Sequence, residues 1–139
     1  MKFSTKTRYG IRTMIEIASE TSGNGVLQKD IAKKQDLSNK YLDHIISALK
    51  ASNLICNVKG KKSGYVLTKS PAEITIFEIH DAFEDGICVI DCVALNADCE
   101  KDGKCSAQQF WKGLNSVILD YFKKTTLQDI INIEIEKVQ

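Results

Sequence analysis

The sequence predicts a mainly α-helical fold with one small β-hairpin, and three observations predict it. Leu42, Ile45, Ile46 and Leu49 recur at the i, i+3, i+4, i+7 spacing of one helical face. Two short apolar or β-branched runs, residues 55–58 and 65–67, flank the glycine-bracketed, lysine-rich stretch Lys59-Gly60-Lys61-Lys62-Ser63-Gly64. Phe110, Leu114, Val117, Ile118 and Tyr121 mark a further, longer helix near the end of the chain. With 139 residues and 43% apolar content the chain can bury one modest core. A single unit over 1–139 is therefore expected, divided into 1–69, 70–105 and 106–139.

Ser4 is placed to cap a first helix whose apolar face is Ile11, Met14, Ile15 and Ala18, with Gly23 as its stop. A short second helix begins at Gln28 and carries Ile31 and Ala32, and Asp36-Leu37-Ser38 combines turn formers with an apolar plug. Ser38 can cap a third helix from Asn39 by accepting from the freed N–H groups of its first turn. Two helices joined so tightly read as a helix-turn-helix, whose second helix offers polar residues near its start to DNA base edges. Opposite the apolar stripe stand Asn39, Lys40, Asp43 and His44. An ordinary αα-hairpin with a solvated face shares that pattern. The basic β-ribbon that follows directly makes the combination a winged helix-turn-helix. Lys59, Lys61 and Lys62 at the ribbon tip suit phosphate contact, and Cys56 in the first strand reads as a small buried hydrophobe.

Ser70-Pro71 breaks the chain, and Thr75 with Glu78 forms a capping box ahead of Ile76, Ile79, Ala82 and Phe83. Beyond Cys105, Ser106 and Gln109 make a second capping box, and the long stripe follows, widened by Trp111 and Phe122. So broad a stripe exceeds what a surface helix needs. A second copy of the chain is the expected cover, which makes this a dimerisation helix and the protein a homodimer. Thr126 caps a short terminal helix through Ile131.

Charge separates the halves. Residues 1–69 carry 13 Lys/Arg against 5 Asp/Glu, a balance of +8, whereas residues 70–139 carry 6 against 13, a balance of −7. A polyanion is drawn to the first half and held away from the second, the footprint of a nucleic-acid binder with a separate regulatory or assembly half. The first residues lack the apolar run of a signal peptide, and no stretch approaches the ~20 apolar residues of a membrane span. A cytoplasmic protein with no membrane partner is expected. Four of the five cysteines, Cys88, Cys92, Cys99 and Cys105, fall within eighteen residues that lack helical or strand periodicity. In a reducing compartment such a cluster points to metal ligands or redox thiols rather than structural disulfides.

Lys6-Thr7-Arg8-Tyr9-Gly10 opening the first helix, Leu37-Ser38 with Tyr41-Leu42, Gly60 with Gly64-Tyr65, and Thr125-Thr126-Leu127 form an ordered set. With these motifs the chain resembles, over nearly its whole length, the Rrf-two family of bacterial transcription regulators. The resemblance implies a homodimer whose long helix crosses its twin and which binds a partly palindromic double-stranded DNA operator. DNA contacts are then expected from Gln28, Ser38, Asn39, Lys40, Tyr41, His44, Lys59, Lys61 and Lys62, and dimer contacts from Phe110, Leu114, Val117, Ile118 and Tyr121. Sensing members of the family carry three cysteines in a loop before the dimer helix. Cys92, Cys99 and Cys105 match, with six and five residues between them. The match implies an iron–sulfur cluster, [2Fe–2S] or [4Fe–4S]. The chain departs at the fourth ligand. Gln108 stands where cluster-regulating members have histidine, and Arg8 where nitric-oxide-sensing members use an acid in the first helix. Lys59 and Ser63 also replace the usual wing arginine and glycine.

The chemistry of the segment agrees with soft-donor binding, because thiolates on a loop with glycine and small residues can converge where those on a regular helix cannot. Cys88 is a candidate fourth thiolate. Zinc is the weaker metal reading, since structural zinc sites favour paired C-x₂₋₄-C spacings and only Cys88 to Cys92 is that close. A metal-free thiol switch, or control by a partner protein, is the alternative within the same fold. An enzyme or electron carrier fits poorly: His44 and His80 are the only histidines, and neither accompanies a nucleophile motif.

Overall fold

A computed structural model describes residues 2–59, 64–93 and 103–138, the side chains of Cys92 and Val138 apart. Among the described residues six α-helices and one antiparallel hairpin follow in the order α1 (Thr5–Ala18), α2 (Gln28–Gln35), α3 (Asn39–Ala51), β1 (Ile55–Asn57), β2 (Tyr65–Leu67), α4 (Ile76–Asp81), α5 (Ser106–Lys124) and α6 (Leu127–Val138). Single-turn helices at Pro71–Glu73 and Asp91–Val93 flank α4 on either side.

Ser4 caps α1 as expected, its Oγ accepting from the Thr7 N–H at 3.1 Å. The buried face differs from the apolar count. It consists of Thr7, Gly10, Thr13, Met14 and Ile17, while Ile11, Ile15 and Ala18 flank it half-buried. The cause is Gly10: a Cβ there would collide with the ring of Phe83, so a residue without a side chain decides which way the helix turns. The helix also ends at Ala18, before Gly23, whose positive φ of 84° serves the loop beyond. Asp36 closes α2 in the left-handed region at φ 53°, which its short polar side chain tolerates, and the Leu37 N–H returns to the Ala32 carbonyl at 2.9 Å. Ser38 caps α3, and Leu42, Ile45, Ile46 and Leu49 form its buried face as the spacing predicts.

The hairpin pairs Ile55 with Leu67, Cys56 with Val66 and Asn57 with Tyr65. Successive strand side chains alternate between faces, so burying Ile55 turns Cys56 outward. Cys56 is exposed, which corrects its reading as a buried hydrophobe. Val26 and Tyr65 exchange backbone hydrogen bonds at 3.0 and 2.9 Å, tying the hairpin to the loop ahead of α2.

The capping box at Thr75 and Glu78 is present. The second one is not: Cys105 occupies the N-cap of α5 without a side-chain bond, and Ser106 is already the first helical residue. α6 starts after Thr126, whose Oγ1 accepts from the Asp129 N–H at 3.2 Å, and continues past Ile131 to Val138. Its first residue is locked down by the Leu127 N–H donating to the Ile74 carbonyl at 2.8 Å. Met14, Ile31, Leu42, Ile45, Leu49, Ile74, Ile79 and Leu127 sit at the centre of one buried cluster fed by α1, α2, α3, α4 and the start of α6. By contrast α5 contributes only Gln108 as a buried residue, with Phe122 packed against the cluster's edge.

Candidate nucleic-acid interface and cysteine segment

The polar face of α3 starts with a cap. Ser38 Oγ accepts from the Tyr41 N–H at 3.1 Å, and Ser38, Asn39, Lys40 and His44 are exposed. Tyr41 is half-buried because its ring meets Tyr9 of α1 edge-on, centroids 6.1 Å apart, while Arg12 lies over the other ring of the pair at 5.0 Å from its centroid. Gln28 Nε2 donates to the Asn39 carbonyl at 3.3 Å and to Asp43 Oδ1 at 2.5 Å, clamping the start of α2 onto the first turns of α3. Lys50 fastens the root of the hairpin to α3, donating to Asn57 Oδ1 at 2.9 Å and lying over the Tyr65 ring. Lys59 is exposed where the hairpin leaves β1, and Lys61 and Lys62 lie outside the described residues.

The cysteine segment leaves α4 past buried Ile87 and exposed Cys88, whose thiol donates to the Ile90 carbonyl at 2.8 Å. One residue on, the Val89 N–H donates to Asn115 Oδ1 of α5 at 2.9 Å. The segment returns at Gly103, in the left-handed region at φ 75°, where its N–H donates to Gln108 Oε1 at 3.1 Å. Gln108 and Asn115 are seven residues apart, two helical turns, so one face of α5 receives both ends of the segment. Sequence reasoning weighed Gln108 only as a poor metal donor and passed over Asn115. A polar side chain set between Leu114 and the Val117-Ile118 pair was the available signal.

Cys105 is half-buried at the amino end of α5, Asp91 is exposed, and Arg8 stands exposed on the first turns of α1. Cys99 and the side chain of Cys92 lie outside the described residues. Among the described residues no group of three or more His, Cys, Asp or Glu side chains could hold a metal. On the face of α5 away from the segment, Phe110, Leu114, Val117 and Tyr121 are exposed by 64, 37, 65 and 68%, with Ile118 half-buried between the two faces. Among the described residues no helix is long and apolar enough to cross a membrane.

The chain matches, over residues 3–133, the family model described as Rrf2, iron-dependent transcriptional regulator. It is 30% identical over 131 residues to a helix-turn-helix-type transcriptional regulator of Neisseria meningitidis serogroup A, covering 94% of this chain and 88% of that one. It is similar in structure to CymR, the global cysteine regulator of B. subtilis, at a TM-score of 0.81 and 28% identity, covering 96% of this chain and 98% of that one. Its similarity to T. potens IscR has a TM-score of 0.76 at 27% identity, over 100% of this chain and 91% of that one. These relatives are transcriptional regulators and not enzymes. Among the described residues six α-helices accompany a two-stranded wing, and the match of this chain to these proteins along nearly its whole length makes it a member of the Rrf2 family, a winged-helix transcriptional regulator of the IscR and CymR type.

Proposed function

We propose that the chain is a homodimeric operator-binding regulator whose DNA affinity is set by an iron–sulfur cluster on the Cys92, Cys99 and Cys105 loop. The observation that carries this reading is the double role of α5. One face fastens both ends of the cysteine segment through Asn115 and Gln108, and the other exposes Phe110, Leu114, Val117 and Tyr121 to a second copy. A change in the segment is thereby applied to the helix on which dimer geometry rests, and the spacing of two recognition helices, about 34 Å for one DNA turn, follows from that geometry.

The donor chemistry fits the group. Cys88 is an exposed thiol next to the segment's first fastening point, Cys105 is a half-buried thiol at its end, and soft thiolates are what iron–sulfur clusters take. When bound, the cluster supplies a centre that responds to oxidants, nitric oxide or iron–sulfur supply. The protein's own residues do the rest: Gln108, buried and holding Gly103, sets where Cys105 stands at the amino end of α5. On the DNA side, Ser38, Asn39, Lys40 and His44 face the major groove, Lys59, Lys61 and Lys62 meet phosphates, and Gln28 and Tyr41 hold α3 in position. Anaerobically purified protein tests the reading. Visible absorption bands that bleach in Cys92→Ser, together with a change in operator affinity on bleaching, are expected; colourless protein of full operator affinity would defeat it.

A second reading has a specific support. Structural similarity to CymR, a regulator of cysteine, and the exposed thiol of Cys88 favour a metal-free thiol switch in the same loop. Colourless protein whose operator affinity falls on mild oxidation and recovers with reductant would select it.

A further inference from the structure

Glu84 is held by three partners beside the start of the cysteine segment, and neither the DNA face nor the segment's own fastening uses it. It stands four residues before Cys88. Its Oε1 accepts from the Ser4 N–H at 3.1 Å, its Oε2 accepts from Thr7 Oγ1 at 2.8 Å, and the same Oε2 lies 3.0 Å from His80 Nε2. Ser4 is the N-cap of α1 and Thr7 the first buried residue of that helix. His80 is 2% exposed, its ring edge-on to both Phe3 and Phe122 at 5.6 Å, and those two rings stack on each other at 5.2 Å. Immediately before Glu84, the Phe83 ring fills the space that Gly10 leaves open on α1.

Glu84 and Cys88 also line one open cavity of about 190 Å³, with Lys2 and Phe3 among its other walls. The chain entering the cysteine segment is thus bolted to the first two turns of α1. One residue before Gly10, Tyr9 meets Tyr41 of α3, whose N–H is held by the Ser38 cap. A helix moves as a body, so a displacement applied at Ser4 and Thr7 reaches Tyr9 and then the start of the recognition helix. Hydrogen bonds to a carboxylate are short and directional, which suits them to transmit such a displacement rather than absorb it.

We propose that Glu84 is the positioning residue that carries the state of the cysteine segment to the recognition helix, through Ser4, Thr7 and the Tyr9–Tyr41 contact. This rests on the reading of the segment as a sensor and names the route by which it acts. No contact with DNA or with a cluster is assigned to Glu84; it acts on α1, and α1 acts on α3.

The experiment compares operator affinity for cluster-loaded wild-type protein and for Cys92→Ser, each with and without Glu84→Ala. In the wild-type background the two loop states are expected to differ by about 5- to 150-fold, the usual span of coupling between two sites. With Glu84→Ala the ratio should fall to within about twofold while the loaded protein keeps its visible bands and its circular dichroism. A merely structural role would weaken both loop states alike and leave the ratio standing. Glu84→Gln, which keeps an acceptor for the Ser4 N–H, should restore part of it. If Glu84→Ala does not fold, Thr7→Val removes one partner of the same carboxylate and carries the comparison. A ratio unchanged in the Glu84 or Thr7 variant overturns the route while leaving the sensor. A wild-type ratio of one overturns the sensor, and the route with it.

Discussion

The Val89 N–H and Asn115 Oδ1 lie 2.9 Å apart across 26 residues of sequence, joining the strand of chain just past Cys88 to the middle of α5. Val89 is half-buried, so its N–H has little water to turn to if the partner is lost. Asn115→Leu keeps the branching at Cγ and removes the acceptor. It is expected to cost about 1–3 kcal/mol in urea denaturation and to speed hydrogen exchange selectively at the Val89 amide. Unchanged exchange at that amide would mean the bond does not hold the segment in solution.

The apolar stripe makes a separate prediction. Covering Phe110, Val117 and Tyr121, each more than 60% exposed, contributes roughly 1.5–3 kcal/mol per side chain, enough together to support association. Leu114→Asp, at the centre of the stripe, should give a monomer in sedimentation at micromolar concentration. Its thermal unfolding as a monomer should remain cooperative, because α5 lends no buried apolar side chain to the core. A dimer that survives Leu114→Asp would place the interface elsewhere.

How much of this was legible in the sequence depends on what each element's pattern is made of. α3 was fully legible, because its burial is carried by Leu and Ile at helical spacing and its cap by a serine. α1 was legible as a helix but not in its facing, because Thr7, Gly10 and Thr13 are buried without being apolar and Gly10 is set by Phe83, 73 residues away. The box at Thr75 and Glu78 closed, whereas Ser106 and Gln109, at the same spacing, did not, since the chain enters α5 one residue earlier, at Cys105. Cys56 was misjudged because its facing follows from Ile55 beside it rather than from its own character. Asn115 and Glu84 were passed over because their partners, Val89 for one and Ser4 and Thr7 for the other, lie 26 to 80 residues away in sequence, and no local motif marks such a pairing.

Glu78 makes stability depend on acid pH. Burial pushes its carboxyl up, but the hydrogen bond from Lys69 at 2.8 Å, the bond from the Thr75 N–H at 2.9 Å, the Lys69 charge and the Thr75 hydroxyl outweigh it and hold it below the ordinary glutamate value. A depressed carboxyl contributes stability that is fully present above its unfolded value and is lost as pH falls through the folded one. Urea midpoints of wild type should therefore fall on acidification more than those of Glu78→Gln. The difference should stay below about 1 kcal/mol, since the Glu78 side chain is 38% exposed and solvent screens the pair. Parallel acid limbs would show that Glu78 is not held in this way.

Wing and recognition helix should separate in their effects on DNA. Lys61→Ala is expected to weaken binding to all duplexes alike and to flatten the slope of affinity against salt by about one unit. Asn39→Ala or His44→Ala, at exposed positions on the polar face of α3, should instead relax preference at individual base pairs, by about 1–3 kcal/mol each. Operator preference left untouched by both α3 variants would remove them from the reading surface.

The fourth ligand is decided by a pair of serine substitutions. Gln108 is buried and holds the Gly103 N–H, and Arg8 offers no acid, so neither position that the family resemblance suggests supplies a strong donor here. Cys88 does. It is exposed, three residues stand between it and Cys92, and its thiol spends its proton on the Ile90 carbonyl two residues away. A thiolate bound to iron has no proton to donate, so ligation exchanges that local bond for a metal bond and frees the turn at Ile90. If Cys88 completes an all-cysteine site, Cys88→Ser and Cys92→Ser lose the visible bands equally. If the fourth position belongs instead to exposed Asp91, water or a small thiol, Cys92→Ser bleaches while Cys88→Ser keeps its bands. In that case the Cys88–Ile90 bond is structural, and Cys88→Ala, which removes the donor that serine would keep, should cost only on the order of 1 kcal/mol.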